Sequence, residues 1–377
     1  MKVNHRMNKL RAYMEKENIK LSIITNPDHQ FYLTGFKAKL YSRPITLIIS
    51  ESYSLFIVPG LEEVHAREVA QVDEVIVYYE QPEFEQQGTD YNNKLIHALT
   101  GIASHEKVGT DMDYSTLSLG KVLDSLNFKV IDIGQVILEM RYIKDADEIN
   151  MMKEAGKLTN LAVRKSLESC RKDITEIDMD AHGNKALYSE VANKYPNSTL
   201  DIFVMSPSGK KRSTMPHAFS NTRLLQEGDG LIHSRQVGIN GYRAELERTI
   251  FIGQPTKIQK EVFEIAKNAQ ELALEYIKPG VKAKDVDLIA RNYIQEKGYG
   301  KFSVHRSGHG IGISTHEKPY LRFDNELVLQ EGMAFSIEPG IYIPDVGGFR
   351  HSDTVILTSD GCEVITDYPR DIESLIF

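Results

Sequence analysis

Residues 228–249 read GDGLIHSRQVGINGYRAELERT. Gly and Asp at the start punctuate a strand, GDGLIHSR, and the far end carries two carboxylates, Glu245 and Glu247, in AELERT. Taken alone, ELER is a solvated charge pair, so its meaning depends on what surrounds it. GMAFSIEPGIYI (332–343) and SDTVILTSDGCEVIT (352–366) are also strands bounded by Gly and Pro turns. They alternate with the long helical patterns QKEVFEIAKNAQELALEYI (259–277) and KAKDVDLIARNYIQEKG (282–298). Helical and strand periods interleaved in this way specify an α+β domain.

Toward the N-terminus the pattern changes. The apolar runs LSIIT (21–25), ITLIIS (45–50), SLFIVP (54–59), EVIVYY (74–79), EKVGTD (106–111) and KVIDIG (129–134) are separated by helical stretches such as GLEEVHAREVAQ (60–71) and YNNKLIHALTGIA (91–103). This is an α/β domain whose last strand ends near residue 134. After the connector MRYIKDAD (140–147), a helix is expected from about Ala146 to Ser169. Two domains follow, 1–140 and 141–377.

Composition supports two cores: the chain has 377 residues, of which 41% are hydrophobic. A net charge of −8 without a block of Lys and Arg argues against nucleic acid and against an anionic membrane as partners. The first twenty residues read as an amphipathic charged helix rather than a signal peptide, and no apolar run reaches membrane-spanning length, so the expected location is the cytoplasm. The two cysteines, Cys170 and Cys362, are far apart and are expected to be free thiols.

The side chains able to do chemistry cluster in the second domain. His217 lies in TMPHAFSN, His305 and His309 in HRSGHGIG, His316 in STHEKP, Glu245 and Glu247 in AELERT, and Glu338 in SIEPG. Imidazoles and carboxylates together suit general acid/base catalysis or a metal site. The glycines of GHGIG lack the Lys and Ser/Thr of a phosphate loop.

In order, PH, GD…GY…ERT, HRSGHGIG…HEKP, GMAFSIEPGIYIP and GGFRHSDTVILT resemble the creatinase, aminopeptidase P and prolidase superfamily. The resemblance covers residues 140–377 and implies the pita-bread fold; the preceding domain, with NPDHQFYLTGF (26–36), is similar to the family's N-terminal domain. Family peptidases hold two metal ions on two Asp, one His and two Glu. At those positions stand Ser234, Glu245, His309, Glu338 and Ser352. Replacing two anionic donors by hydroxyls removes ligands that a pair of divalent ions needs, so no dinuclear centre and no cofactor are expected, with room left for one ion on Glu245, His309 and Glu338.

The ligand pattern is similar to that of metal-free members such as creatinase and ectoine hydrolase. This likeness implies His217 as proton shuttle, Glu247 and Glu338 as the cradle of a substrate guanidinium, and Glu245 as base or nucleophile. It also implies that Arg43, with Tyr41, and Arg322 grip a substrate carboxylate, Arg43 acting across a homodimer. His309 and His316 then orient a small zwitterionic substrate. The leading expectation is therefore a metal-independent amidinohydrolase-like enzyme cleaving a C–N bond. A metal-dependent Xaa-Pro dipeptidase is the alternative, and a non-catalytic binding module the third reading.

Overall fold

In the computed structural model, which describes residues 3–39, 41–81, 83 and 90–377, the chain divides into two compact units, Met1–Arg141 and Tyr142–Phe377. The first is built on one sheet. Its strands are β1 (Ile19–Ile24), β2 (Thr46–Ser50), β3 (Ser54–Pro59), β4 (Glu74–Tyr78), β5 (Lys107–Thr110) and β6 (Lys129–Asp132), in the order β4-β3-β2-β1-β5-β6. β1 pairs parallel to β5, as β5 does to β6 and β3 to β4, whereas β2 is antiparallel to both its neighbours. Parallel pairs require crossovers, and the helices Glu63–Val69 and Leu117–Ser125 supply them. Ile23, Ile57, Leu95, Val108 and Leu123 close the core between sheet and helices.

The second unit carries the longer sheet. Its strands are β7 (Leu200–Met205), β8 (Gly230–Ile239), β9 (Tyr242–Phe251), β10 (Gly308–Gly310), β11 (Glu317–Leu321), β12 (Ala334–Ile337), β15 (Ser352–Leu357) and β16 (Cys362–Val364); β13 (Gly340–Ile343) and β14 (Gly347–Arg350) form a separate hairpin. The path runs β11-β10-β12-β15-β9-β8-β7, with β16 on β15. Residues 228–249 prove to be both long strands of a hairpin. Asn240 and Gly241 turn it, both with positive φ (49° and 89°), as a tight two-residue connection demands.

Helices pack against this sheet because their ends are fixed and one face is apolar. Asp145 and Glu148 form a reciprocal cap at the start of helix Ala146–Glu168, and Thr256 and Gln259 do so for helix Lys257–Tyr276. The first of these helices buries Ala155, Leu158 and Ala162 against Val237, Ile239 and Ala244 of β8 and β9. Gly156 allows the close approach: a Cβ there would stand 2.3 Å from the carbonyl oxygen of Ile365. Beneath the site, Arg248 of β9 pairs with Asp353 of β15 at 3.0 Å, both fully buried, and so ties together the two strands that carry Glu245, Glu247 and Ser352.

Candidate active site

Strand register brings the chemistry to one place. Ser234 of β8 lies opposite Glu247 of β9, which in turn lies opposite Ser352 of β15. Two residues along, Gln236 faces Glu245, and Ser336 of β12 faces His309 of β10. Residues two apart on a strand share a face, so Ser234, Gln236, Glu245 and Glu247 of these rows together line a cavity of about 380 Å³. His217, His305, Arg306, His316, Glu338, Tyr342 and Arg350 add to its polar lining, with Thr214 and Thr315, and Phe203, Met205, Pro216 and Val304 supply an apolar wall.

Glu245 is held on every side. Ser336 Oγ and Ser352 Oγ donate to its Oε1 at 2.5 and 2.8 Å, and the Gln236 amide donates to Oε2. Burial opposes its charge, yet His309 and these hydrogen bonds outweigh burial, and the pKa falls below the usual carboxylate value. Ser352 thus acts as a hydrogen-bond donor to a carboxylate. Ser234, likewise buried, serves Glu247 in the same way.

His309 is fully buried, and its Nδ1 lies 2.9 Å from the carbonyl oxygen of Gly310. A carbonyl only accepts, so Nδ1 carries the proton and Nε2 presents its lone pair. That nitrogen has no hydrogen-bond partner among the described residues; it stands 3.5 Å from Glu338 Oε1 and 3.9 Å from Glu245 Oε2. The His316 ring lies over that of His309, centroids 3.9 Å apart. Burial, and next the facing His309, lower His316 to about 4. His217 is also lowered, by burial and by Arg350 and Arg306, and keeps an exposed position at the cavity rim.

Arg350 occupies the opposite side. Its guanidinium grips Glu247 through two hydrogen bonds, the one from Nη2 measuring 2.6 Å, and lies 3.7 Å from Glu338 Oε2. Nη1 donates to the Tyr342 hydroxyl at 3.1 Å, and that hydroxyl lies 2.9 Å from His305 Nε2. Burial raises the pKa values of Glu247 and Glu338, with Arg350 opposing it in both.

Several sequence expectations meet this geometry directly. His217, Glu245, Glu247, Glu338 and His316 line one cavity with Ser234, and His309 reaches Glu245 and Glu338 from β10. The expected substrate guanidinium cradle is corrected: Glu247 and Glu338 already face the chain's own Arg350, so no free pair of carboxylates awaits an organic cation. Arg322 is not among the residues lining the cavity; it is exposed and pairs with Asp324 at 2.7 Å. Arg43, paired with Glu80 at 2.7 Å, and the exposed Tyr41 line a different hollow, of about 710 Å³, within the first unit. Arg350, Arg306, Tyr342 and Gln236 were missed. A charged residue within the strand run GGFRHSDTVIL was the available signal, because a buried guanidinium requires a carboxylate.

Do these residues fit metal ions? Glu245, His309 and His316 bring one donor atom each within 4.8 Å of one another, as do Glu245, Glu247 and Glu338. The unpartnered His309 nitrogen between two carboxylates suits one divalent ion. A second ion is not matched: Ser234 and Ser352 offer hydroxyls, and Glu247 is held by Arg350.

Comparison with known proteins adds independent findings. The profile of metallopeptidase family M24 matches residues 150–359, and that of the creatinase/prolidase N-terminal domain matches 6–143. The chain is 32% identical to an Xaa-Pro dipeptidase of Pyrococcus horikoshii over 371 residues, covering 98% of this chain and 99% of that protein. It is 30% identical to the Xaa-Pro dipeptidase of Pyrococcus furiosus over 373 residues, 98% and 100% of the two chains. The crystal structure of the prolidase from P. horikoshii superposes with a TM-score of 0.85 at 28% identity, covering 98% and 100%. These matches bear out the pita-bread fold with its preceding N-terminal domain. They overturn the metal-independent amidinohydrolase expectation and the likeness to metal-free members, because the full-length relatives are Xaa-Pro dipeptidases within a metallopeptidase family. Two serines outweighed, in that expectation, the three donors Glu245, His309 and Glu338 that remain together. No helix among the described residues is long and apolar enough to cross a membrane.

Proposed function

We propose that this chain, which belongs to metallopeptidase family M24, hydrolyses the peptide bond of Xaa-Pro dipeptides. One observation carries the reading: His309 Nε2, buried and without a hydrogen-bond partner among the described residues, points between Glu245 and Glu338, which line a cavity of dipeptide size. A divalent ion bound to those three residues would supply Lewis acidity toward the scissile carbonyl.

The chain's own residues supply the remaining features. Phe203, Met205, Pro216 and Val304 form the wall on which a pyrrolidine ring would rest. Arg306 stacks on Tyr320 at 4.2 Å from the ring centroid, and no carboxylate among the described residues pairs with it. Its guanidinium takes the role first given to Arg322, binding the C-terminal carboxylate of the dipeptide. His217 and His316, neutral near pH 7 by the shifts above, offer hydrogen bonds to the peptide group without adding charge.

The family resemblance further supports a homodimer in which Arg43 and Tyr41 border the partner's cavity. Sedimentation of the purified protein tests the dimer. Proline release from Ala-Pro and Leu-Pro, measured on protein supplied with Mn²⁺ and on the same protein stripped with a chelator, tests the activity. Turnover is expected only in the first; cleavage of creatine without metal, and of neither dipeptide, would refute it.

A further inference from the structure

The floor of the cavity has two halves that share Glu338. Its Oε1 faces the lone pair of His309, and its Oε2 faces the guanidinium of Arg350. On the His309 side, donor separations of 3.5 and 3.9 Å lie close to the ~3.3 Å between ligands of a four-coordinate ion with bonds of about 2.0–2.1 Å. Small side-chain shifts would close them on one cation. On the Arg350 side, Glu247 is saturated by the guanidinium, while Ser234 and Ser352 spend their hydroxyls on carboxylates. A guanidinium therefore stands where further positive charge would be needed.

The geometry points to a mononuclear site: one divalent transition-metal ion per chain, on Glu245, His309 and Glu338 with His316 beside them, while Arg350 serves as a built-in cation in place of a second ion. This deepens the peptidase reading and rests on it for the kind of ion. Two carboxylates with imidazole suit Zn²⁺ or Mn²⁺. Arg350 is a positioning residue: it fixes Glu338 from behind, turning one oxygen toward His309.

The test is calorimetric titration of the chelator-stripped protein with Zn²⁺ alone and with Mn²⁺ alone, with metal content after dialysis as a second readout. One ion per chain is expected for the native sequence. Glu245→Gln and Glu338→Gln, each confirmed folded by near-ultraviolet circular dichroism, should lose it. Two ions per chain, none, or an ion retained in both folded variants would overturn the inference. One ion bound without Xaa-Pro cleavage would remove the peptidase reading and leave the site standing. Two ions with cleavage would do the reverse.

Discussion

At the scale of single residues, Glu247 and Arg350 decide how the site is read. Glu247 looked like a substrate-binding carboxylate because sequence lists what each position is and not what faces it. Its partner lies 103 positions away and meets it only through the pairing of β9 with β15 and the β14 strand before it. Arg350→Met should leave a buried, unpaired carboxylate and lower unfolding stability by about 3–5 kcal/mol. Adding Glu247→Gln should restore much of the loss, as a urea-denaturation cycle of the single and double variants would show; equal, additive losses would contradict the pairing. His351 gives a second test. It is fully buried, its ring nitrogens have no hydrogen-bond partners among the described residues, and burial with the nearby Arg248, Arg370 and Lys267 holds its pKa well below 6.5. The unfolded chain takes up a proton below about pH 6.5 and the folded one does not, so stability falls as pH drops beneath that value. The expected contribution approaches about 1.4 kcal/mol per pH unit, and His351→Phe should flatten by about that amount the pH slope of the unfolding free energy from urea denaturation between pH 6.5 and 5.

Among the elements, the strands of the first unit were the most legible. Short β-branched runs bounded by turn residues have few alternatives, and LSIIT, ITLIIS, SLFIVP, EVIVYY, EKVGTD and KVIDIG all fall on strands β1 to β6. β7, LDIFVM at 200–205, went unread, since an apolar run of that length between a helix and a loop fits either period. The hairpin of β8 and β9 was half read, although Asn240–Gly241 is a turn signal in its own right. For the site, residue types were legible from the motifs, but their grouping into two halves was not, because it follows from register across five strands. β10 shows how tightly register is set. A Cβ on Gly308 would lie 2.2 Å from the Ser336 carbonyl oxygen, a backbone atom unable to move aside. Gly308→Ala should therefore push β10 from β12, lower stability by about 1–3 kcal/mol and displace His309, with Xaa-Pro turnover falling while the N-terminal unit is unaffected. Unchanged thermal unfolding and turnover would show that the strands tolerate the methyl group.

For the molecule as a whole, the two units differ in what they owe to a ligand. The first closes its core with apolar side chains such as Ile23, Ile57 and Val108, whereas the second lines its cavity with Glu245, Glu247 and Glu338 beside Arg350 and Arg306. An ion binding the folded state alone stabilises it by about 2.7 kcal/mol at a hundredfold excess over its dissociation constant. The unfolding transition of the second unit should thus move up by several degrees with Zn²⁺ or Mn²⁺ and return on chelation, while the transition of the first unit stays in place. The most direct measurement is an anomalous difference map from crystals grown with Mn²⁺. One peak bound by Glu245, His309 and Glu338, with the Arg350 guanidinium still on Glu247, is the predicted result; two adjacent peaks, or one that displaces Arg350, would contradict it.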